Sequence, residues 1–191
     1  MQTGQRIVNV ARFPRGKNGM ANRHKKLKRR LLAEWGLGHC YSEQVCTLGN
    51  LERDPRGWST TLVYLCLVDS EVEAVHGCWH PLCDLPGLSL AFDHTQLIAR
   101  GLERLRIKSR YSTLPLQLLG TEFTLSEVQR AFEIVLQTPM NTAAFRKRIH
   151  RADILVDTGR KRTGKQRPAI LYRLENPCCV MFDQVMNGAE A

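Results

Sequence analysis

The sequence predicts an α+β protein in two parts, an N-terminal α/β unit followed by a helical module that closes on a β-hairpin. Three observations predict it. Runs of β-branched and aromatic residues fall before residue 80, where strands are expected. From Asp93 onward, helical periodicity with capping signals takes over. Charge divides the chain as well. The net +10 is built from 10 Lys/Arg against 1 acid in residues 1–40, 2 against 7 in 41–90, 6 against 5 in 91–139, 10 against 3 in 140–175, and none against 2 in the last 16 residues. Two basic blocks flanking an acidic middle point to a polyanionic partner.

A helix is expected from Asn22, with Leu27, Leu31 and Trp35 at helical spacing and Gly36 where a C-terminal cap belongs. Val45–Leu48 and Thr60–Val68 are expected as strands, separated by the polar turn Asn50–Gly57. Glu71–His80 is expected as a third strand, before a loop around Pro81–Pro86. Asp93, with Gln96 three residues on, caps a helix whose stripe is Leu97, Ile98, Leu102 and Leu105. With Leu114–Leu119 beyond it, this helix connects the two parts.

Thr124-Leu125-Ser126-Glu127 is a capping box, and Phe123 and Val128 are placed for a hydrophobic staple. Leu125, Val128, Phe132, Val135 and Leu136 follow on one apolar face. Thr138-Pro139 breaks that helix, and Asn141 caps a second one running to about Arg151. On the second helix Phe145, Ile149 and Ala152 share the inner face. Ala143, Arg146, Lys147 and His150 share the outer one, with Arg148 and Arg151 at its flanks. Ile154-Leu155-Val156 is then a short strand and Ala169–Leu174 its hairpin partner. The connecting loop Gly159–Pro168 carries Arg160, Lys161, Arg162, Lys165 and Arg167. Helix, turn, basic helix, strand, basic loop, strand is the order of a winged helix-turn-helix. Its basic helix suits a DNA major groove and its loop suits phosphates or a minor groove. The DNA-contacting set expected from this pattern is Thr142, Ala143, Arg146, Lys147, Arg148, Arg151, Arg160, Lys161, Arg162, Lys165 and Arg167.

Several runs resemble the Nudix-related transcriptional regulators of the NrtR type. They are Leu90–His94 leading into Leu102–Leu105, Phe123–Gln129, Phe145–Ile149 and Arg167–Tyr172, which together cover about residues 80–175 in order. Asp54–Gly57 is similar to a turn of that family, and Trp79–Leu82 to its last Nudix strand. The resemblance implies a dimeric repressor, often of NAD-synthesis genes, whose Nudix-like domain senses ADP-ribose or a related ligand. Arg146, Lys147 and Arg148 match the family's basic run. Thr142, Ala143 and Ala144 lack polar side chains often found there, which implies a changed operator preference.

A Nudix hydrolase carries G-x(5)-E-x(7)-R-E-U-x-E-E-x-G-U, whose glutamates hold divalent metals. The best alignment is Arg29–Leu37. There Glu34 is retained, Arg30 and Ala33 occupy the other glutamate positions, and the upstream glutamate falls near Ala21 or Asn22. Hydrolysis is therefore not expected, and neither is any catalytic residue, metal ligand or cofactor. The unit is also short, since nothing before Arg6 could supply the first strands of its sandwich. The basic stretch His24–Arg30 has two readings, an added phosphate-binding helix or part of a frame-shifted or degraded Nudix remnant.

The expected fold is thus α+β, a shortened Nudix-like α/β/α sandwich remnant followed by a winged helix-turn-helix. Its expected parts are a Nudix-like domain (1–90), connector helices (91–120), the winged helix (121–175) and a tail (176–191). The expected function is a DNA-binding regulator acting as a homodimer, with an ADP-ribose-like effector if its pocket survives. The alternatives are a Nudix hydrolase of nucleoside diphosphate derivatives and a truncated DNA-binding fragment that senses nothing. No stretch is apolar enough to span a membrane and no signal pattern opens the chain, so a cytoplasmic protein is expected. The seven cysteines form no regular framework and are expected as thiols, several of them buried. Cys78-Trp79-His80-Pro81-Leu82-Cys83, with His76, lacks the spacing of a zinc knuckle, so buried thiols at a strand end are expected there. Cys178-Cys179, in the tail, is expected to be incidental. No serine stands in a nucleophile elbow, and His94 is expected to be structural.

Overall fold

The computed structural model describes residues 32–34, 36, 40–50, 58–69, 72–73, 78–163, 168–183 and 185–186. The chain forms two compact units, residues 1–68 with 72–104, and residues 69–71 with 105–191. Most of the helix expected from Asn22, the basic stretch His24–Arg30 and the polar turn 51–57 lie outside the described residues. Within that helix, Leu32–Glu34 are helical. Gly36 takes the left-handed conformation (φ 71°) and donates its N–H to the Ala33 carbonyl at 3.1 Å, as a glycine cap does.

In the first unit, β1 (Tyr41–Asn50) and β2 (Ser59–Leu67) form an antiparallel pair. β1 begins four residues before the expected Val45. Tyr41–Gln44 pair with Leu67–Tyr64, and the ladder resumes at Cys46↔Val63, leaving Val45 as a bulge. Alternation along β2 buries Thr61, Val63 and Leu67. The connector helix α1 (His94–Ser109) starts directly after Asp93, whose carbonyl accepts from the N–H groups of Gln96 and Leu97. It buries Leu97 and Leu105. On its exposed side Arg104 Nε donates to Glu43 Oε1 of β1 at 3.0 Å, and the Tyr41 hydroxyl donates to Glu43 Oε2 at 2.6 Å.

The third strand expected over Glu71–His80 does not form among its described residues, Val72, Glu73 and Cys78–His80. The Trp79–Leu82 strand is likewise replaced. Trp79 and His80 are irregular, Pro81 (φ −58°) makes a single isolated bridge, and Leu82–Gly87 turn as a 3₁₀ helix that buries none of its residues. That exposure also corrects the expectation of buried thiols. Cys78 and Cys83 are exposed, as is Cys178, while Cys40, Cys46, Cys66 and Cys179 are half-buried.

Among the described residues, the second unit holds the larger core. After α1 comes a 3₁₀ turn at Leu114–Leu118, then α2 (Leu125–Leu136), α3 (Thr142–Arg151) and the hairpin of β3 (Leu155–Arg162) with β4 (Ala169–Leu174). The capping box forms as expected. Glu127 N–H donates to Thr124 Oγ1 at 3.3 Å, and Thr124 N–H donates to Glu127 Oε2 at 2.7 Å. Phe123 and Val128, the staple pair, are both buried in the core. α2 ends on Gln137 in the left-handed region (φ 55°), and the Asn141 side chain accepts from Ala144 N–H at 3.0 Å to start α3. Phe132 and Phe145 meet edge-on at 5.5 Å between ring centroids, locking α2 to α3.

Two expectations are corrected here. Gly159–Arg162 are strand, not loop, because Lys161 and Arg162 pair with Ile170 and Ala169. Between Asp157↔Tyr172 and Lys161↔Ile170 the register shifts, leaving three residues of β3 opposite Leu171. Gly159 (φ 71°) makes the bend, and its N–H reaches Asp157 Oδ1 at 2.7 Å. The second correction is the tail, which belongs to the core. Met186 is 2% exposed among Leu116, Phe132, Ile149 and their neighbours, with Val180 and Phe182 packed alongside. The segment returns along the end of α1. Thr113 N–H donates to Val180 O, Val180 N–H to Thr113 Oγ1 (both 2.8 Å), and Phe182 N–H to Tyr111 O at 2.7 Å. Met186 N–H donates to Arg110 O.

Candidate nucleic-acid interface

The cationic surface of the second unit is built on α3 and the β3–β4 wing. α3 anchors itself through buried Phe145 and Ile149, one turn apart, so its opposite face must meet solvent. That face exposes Ala143, Arg146, Lys147 and His150, with Arg151 at its edge. Arg148 is placed differently. It is half-buried, and its Nη1 donates to Val185 O at 3.3 Å and lies 3.6 Å from Met186 Sδ, so it ties α3 to the returning tail. Arg146 Nη2 lies 3.4 Å from Ser126 Oγ on α2.

The start of α3 is fixed by two α2 side chains that sequence reasoning passed over. Gln129 Nε2 donates to Met140 O at 3.1 Å and to Thr142 Oγ1 at 3.2 Å. Glu133 Oε1 accepts from Met140 N–H at 3.0 Å and from Gln129 Nε2 at 2.9 Å. The turn between the helices is therefore held by one amide and one carboxylate. Their four-residue spacing, next to a Pro-containing turn, was the visible signal. Thr142, an expected contact residue, is exposed and accepts this bond with its hydroxyl, which keeps its own O–H to donate, while Ala143 is exposed and apolar.

On the wing, Arg160, Lys161 and Arg162 are exposed. Lys165 and Arg167 lie outside the described residues. The base of the wing is stapled to the segment before α2 by reciprocal bonds, Phe123 N–H to Tyr172 O (3.0 Å) and Tyr172 N–H to Phe123 O (2.8 Å). Both wing arginines reach carboxylates near this staple. Arg160 Nη2 pairs with Glu122 Oε1, and Arg162 Nη1 pairs with Glu127 Oε1. Arg162 Nη2 also lies 3.4 Å from the Glu122 carbonyl. Sequence reasoning counted these arginines as phosphate ligands and did not foresee their partners. The capping glutamate serves two groups, holding the α2 N-terminus with Oε2 and Arg162 with Oε1.

Elsewhere, Cys83 stands apart chemically. Its S–H donates to the adjacent Asp84 carboxylate at 3.4 Å, and that bond, with partial desolvation and the carboxylate's charge, raises the thiol above its ordinary pKa. Cys78 Sγ lies 3.1 Å from His80 Nε2. Among the described residues no cluster of three or more His, Cys, Asp or Glu side chains could hold a metal ion. Among them, too, no helix is long and apolar enough to cross a membrane.

Comparison with known proteins places this geometry. The profile of the NrtR DNA-binding winged helix domain matches residues 115–174. A curated relative from Acinetobacter baylyi, the ADPR responsive transcriptional repressor NtrR, is 38% identical over 162 residues. That alignment takes in 82% of this chain and 63% of the relative, so the chain spans less than two thirds of the relative's length. Shewanella oneidensis NrtR complexed with a 27mer DNA is a structural match with TM-score 0.72 and 38% identity, covering 83% of this chain and 76% of that one. A second structure of Shewanella oneidensis NrtR gives TM-score 0.71 and 40% identity, covering 82% of this chain and 75% of that one. A MutT/nudix family protein from Enterococcus faecalis shares the fold at 20% identity, with TM-score 0.61 and coverage of 86% and 73%.

Proposed function

This chain belongs to the NrtR family, and we propose that it is a transcriptional repressor that binds double-stranded DNA as a homodimer through α3 and the β3–β4 wing. The observation that carries this reading is the exposed cationic face of α3, with Arg146, Lys147 and Arg151 facing solvent and Phe145 and Ile149 locked in the core. A helix held this way can enter a major groove, where Arg and Lys read guanine edges. The wing cations Arg160, Lys161 and Arg162, joined by Lys165 and Arg167, suit the phosphate backbone. Thr142 and Ala143 stand at the N-terminal positions nearest the bases, and Arg148 contributes mainly through its hold on the tail. Residues 121–175 form the DNA-contacting domain on this reading, with the connector at 91–120 and the Nudix-like domain at 1–90.

The effector is an ADP-ribose-like nucleotide bound by the Nudix-like domain, by extension from the Acinetobacter relative, which is named for its response to ADPR. The chain is not a hydrolase. Within residues 1–40 Glu34 is the single carboxylate, and Arg30 and Ala33 stand where the metal-binding motif needs glutamates. That donor set does not fit a multi-metal centre.

The test is fluorescence anisotropy on the duplex upstream of the chain's own gene and on random duplex, across a salt series. Arg162→Ala is expected to weaken both duplexes alike. Arg146→Ala is expected to cost the upstream duplex about 1–3 kcal/mol more than random duplex for each base edge it no longer reads. Specific binding unchanged in both variants would sink the assignment.

A further inference from the structure

The two wing arginines are held by carboxylates in a way that resembles how a phosphodiester would hold them. Arg160 pairs with Glu122, and Arg162 pairs with Glu127 while leaning on the Glu122 carbonyl. Both glutamates stand on anchored backbone. Glu122 precedes Phe123, which is bonded to Tyr172 of β4 in both directions. Glu127 is fixed by the capping box, its Oε2 accepting from Thr124 N–H and from Thr124 Oγ1 at 3.0 Å. The arginines, by contrast, keep 68% and 49% of their side chains exposed. An exposed guanidinium on a fixed carboxylate is placed to exchange one anion for another.

We propose that Glu122 and Glu127 are intramolecular stand-ins for DNA phosphates, which hold the wing arginines in the unbound protein and yield them to the DNA backbone on binding. This rests on the DNA-binding reading above and adds the groups that set how readily the wing engages. Arginine is matched to both carboxylate and phosphate through the same fork of N–H donors. Binding to any duplex must therefore first part the two ion pairs. That cost falls on every duplex alike, so the two glutamates lower the affinity the wing contributes to specific and non-specific sites by the same factor. They are positioning residues and need not touch DNA.

The test uses the full chain with Glu127→Gln and Glu122→Gln, and with Glu175→Gln as a charge-matched control at an exposed position just past β4. Glutamine at position 127 still accepts the capping bonds, so α2 keeps its start while the ion pair is removed. On random duplex, each wing variant is expected to bind about two- to fivefold more tightly than the control. The upstream duplex should tighten by the same factor, leaving the ratio of the two affinities unchanged. A fall in random-duplex affinity, or equality with the control on both duplexes, overturns the proposal. The ion pair is read separately, without DNA, in the thermal midpoints of Glu127→Gln, Arg162→Gln and the double variant. Non-additive shifts support the pairing, and strict additivity overturns it. A wild-type chain that binds neither duplex, yet shows non-additive midpoints, would instead sink the DNA-binding reading.

Discussion

Met186→Ala probes the returning tail most directly. Met186 is 2% exposed and belongs to the same core as Leu116, Phe123, Val128, Phe132, Phe145, Ile149 and Ile154. Truncation removes most of a buried side chain and leaves a cavity that a helix pair locked by Phe132 and Phe145 cannot close. Met→Ala at such a site costs about 2–5 kcal/mol. The second unit has the size of a small domain, for which 1 kcal/mol corresponds to about 4–8 °C in midpoint, so its transition should fall by at least about 8 °C. Val185→Ala is the matched control. Val185 is 47% exposed, and its truncation should stay within about 0.5 kcal/mol. The assay is thermal unfolding of both variants, followed by far-ultraviolet circular dichroism. Two variants unfolding at the same midpoint would refute the placement of the tail in the core. Because Arg148 Nη1 reaches Val185 O and Met186 Sδ, the Met186→Ala variant should also bind DNA less tightly well below its midpoint.

Two further outcomes follow from single interactions. Cys83 holds less thiolate at any given pH than an ordinary exposed cysteine, because Asp84 raises its pKa. At about pH 8 its carbamidomethylation, read by mass spectrometry, should therefore be slow, and Asp84→Asn should speed it; a rate that Asp84→Asn leaves unchanged would contradict this. Gly159→Ala should destabilise the wing by about 1–2 kcal/mol, since a side chain at φ 71° is strained, while Gly159→Asn should cost less. Equal urea midpoints for alanine and asparagine at that position would remove the strain argument.

Most of the second unit was legible in the sequence because its signals are local. The capping box, the Asn141 cap, the Phe145/Ile149 face and β4 all depend on residues within a turn or two, and each forms where expected. The failures have non-local causes. Val180, Phe182 and Met186 carry only a weak apolar alternation, and nothing nearby shows that they return to the end of α1, 67 residues earlier in the chain for the Val180–Thr113 bond. The extension of β3 through Arg162 needed its partner residues and a bulge that no periodicity announces. In the first unit, Glu71–His80 had the composition of a strand. Its described residues instead lead into a proline-initiated 3₁₀ turn, where Trp79 Nε1 bonds the Val72 carbonyl at 3.0 Å. Among the site residues, α3 could be placed by counting charges, but the engagement of each charge could not. Arg148, Arg160 and Arg162 look alike in sequence, and their partners Met186, Glu122 and Glu127 lie 35 to 38 residues away.

That engagement bears on how the module can discriminate among duplexes. α3 is held at its start by Gln129 and Glu133, along its inner face by Phe145 and Ile149, and at its flank by Arg148 on the tail. A helix fixed at three places has little freedom to re-aim when it meets DNA, so the match must come from the side chains it already presents. Ala143 and Ala144 offer no hydrogen-bonding side chain, so on the proposed reading hydrogen-bonded readout is left to the Thr142 hydroxyl and the long cations beyond them. Those cations are also the groups that phosphates attract, and every phosphate contact adds affinity without sequence information. A surface of this kind risks binding any duplex. Carboxylates that occupy the wing arginines weaken every duplex by a common factor, so a duplex whose bases α3 does not read is held less. The pairing of Glu122 and Glu127 with Arg160 and Arg162 supplies such carboxylates on the wing.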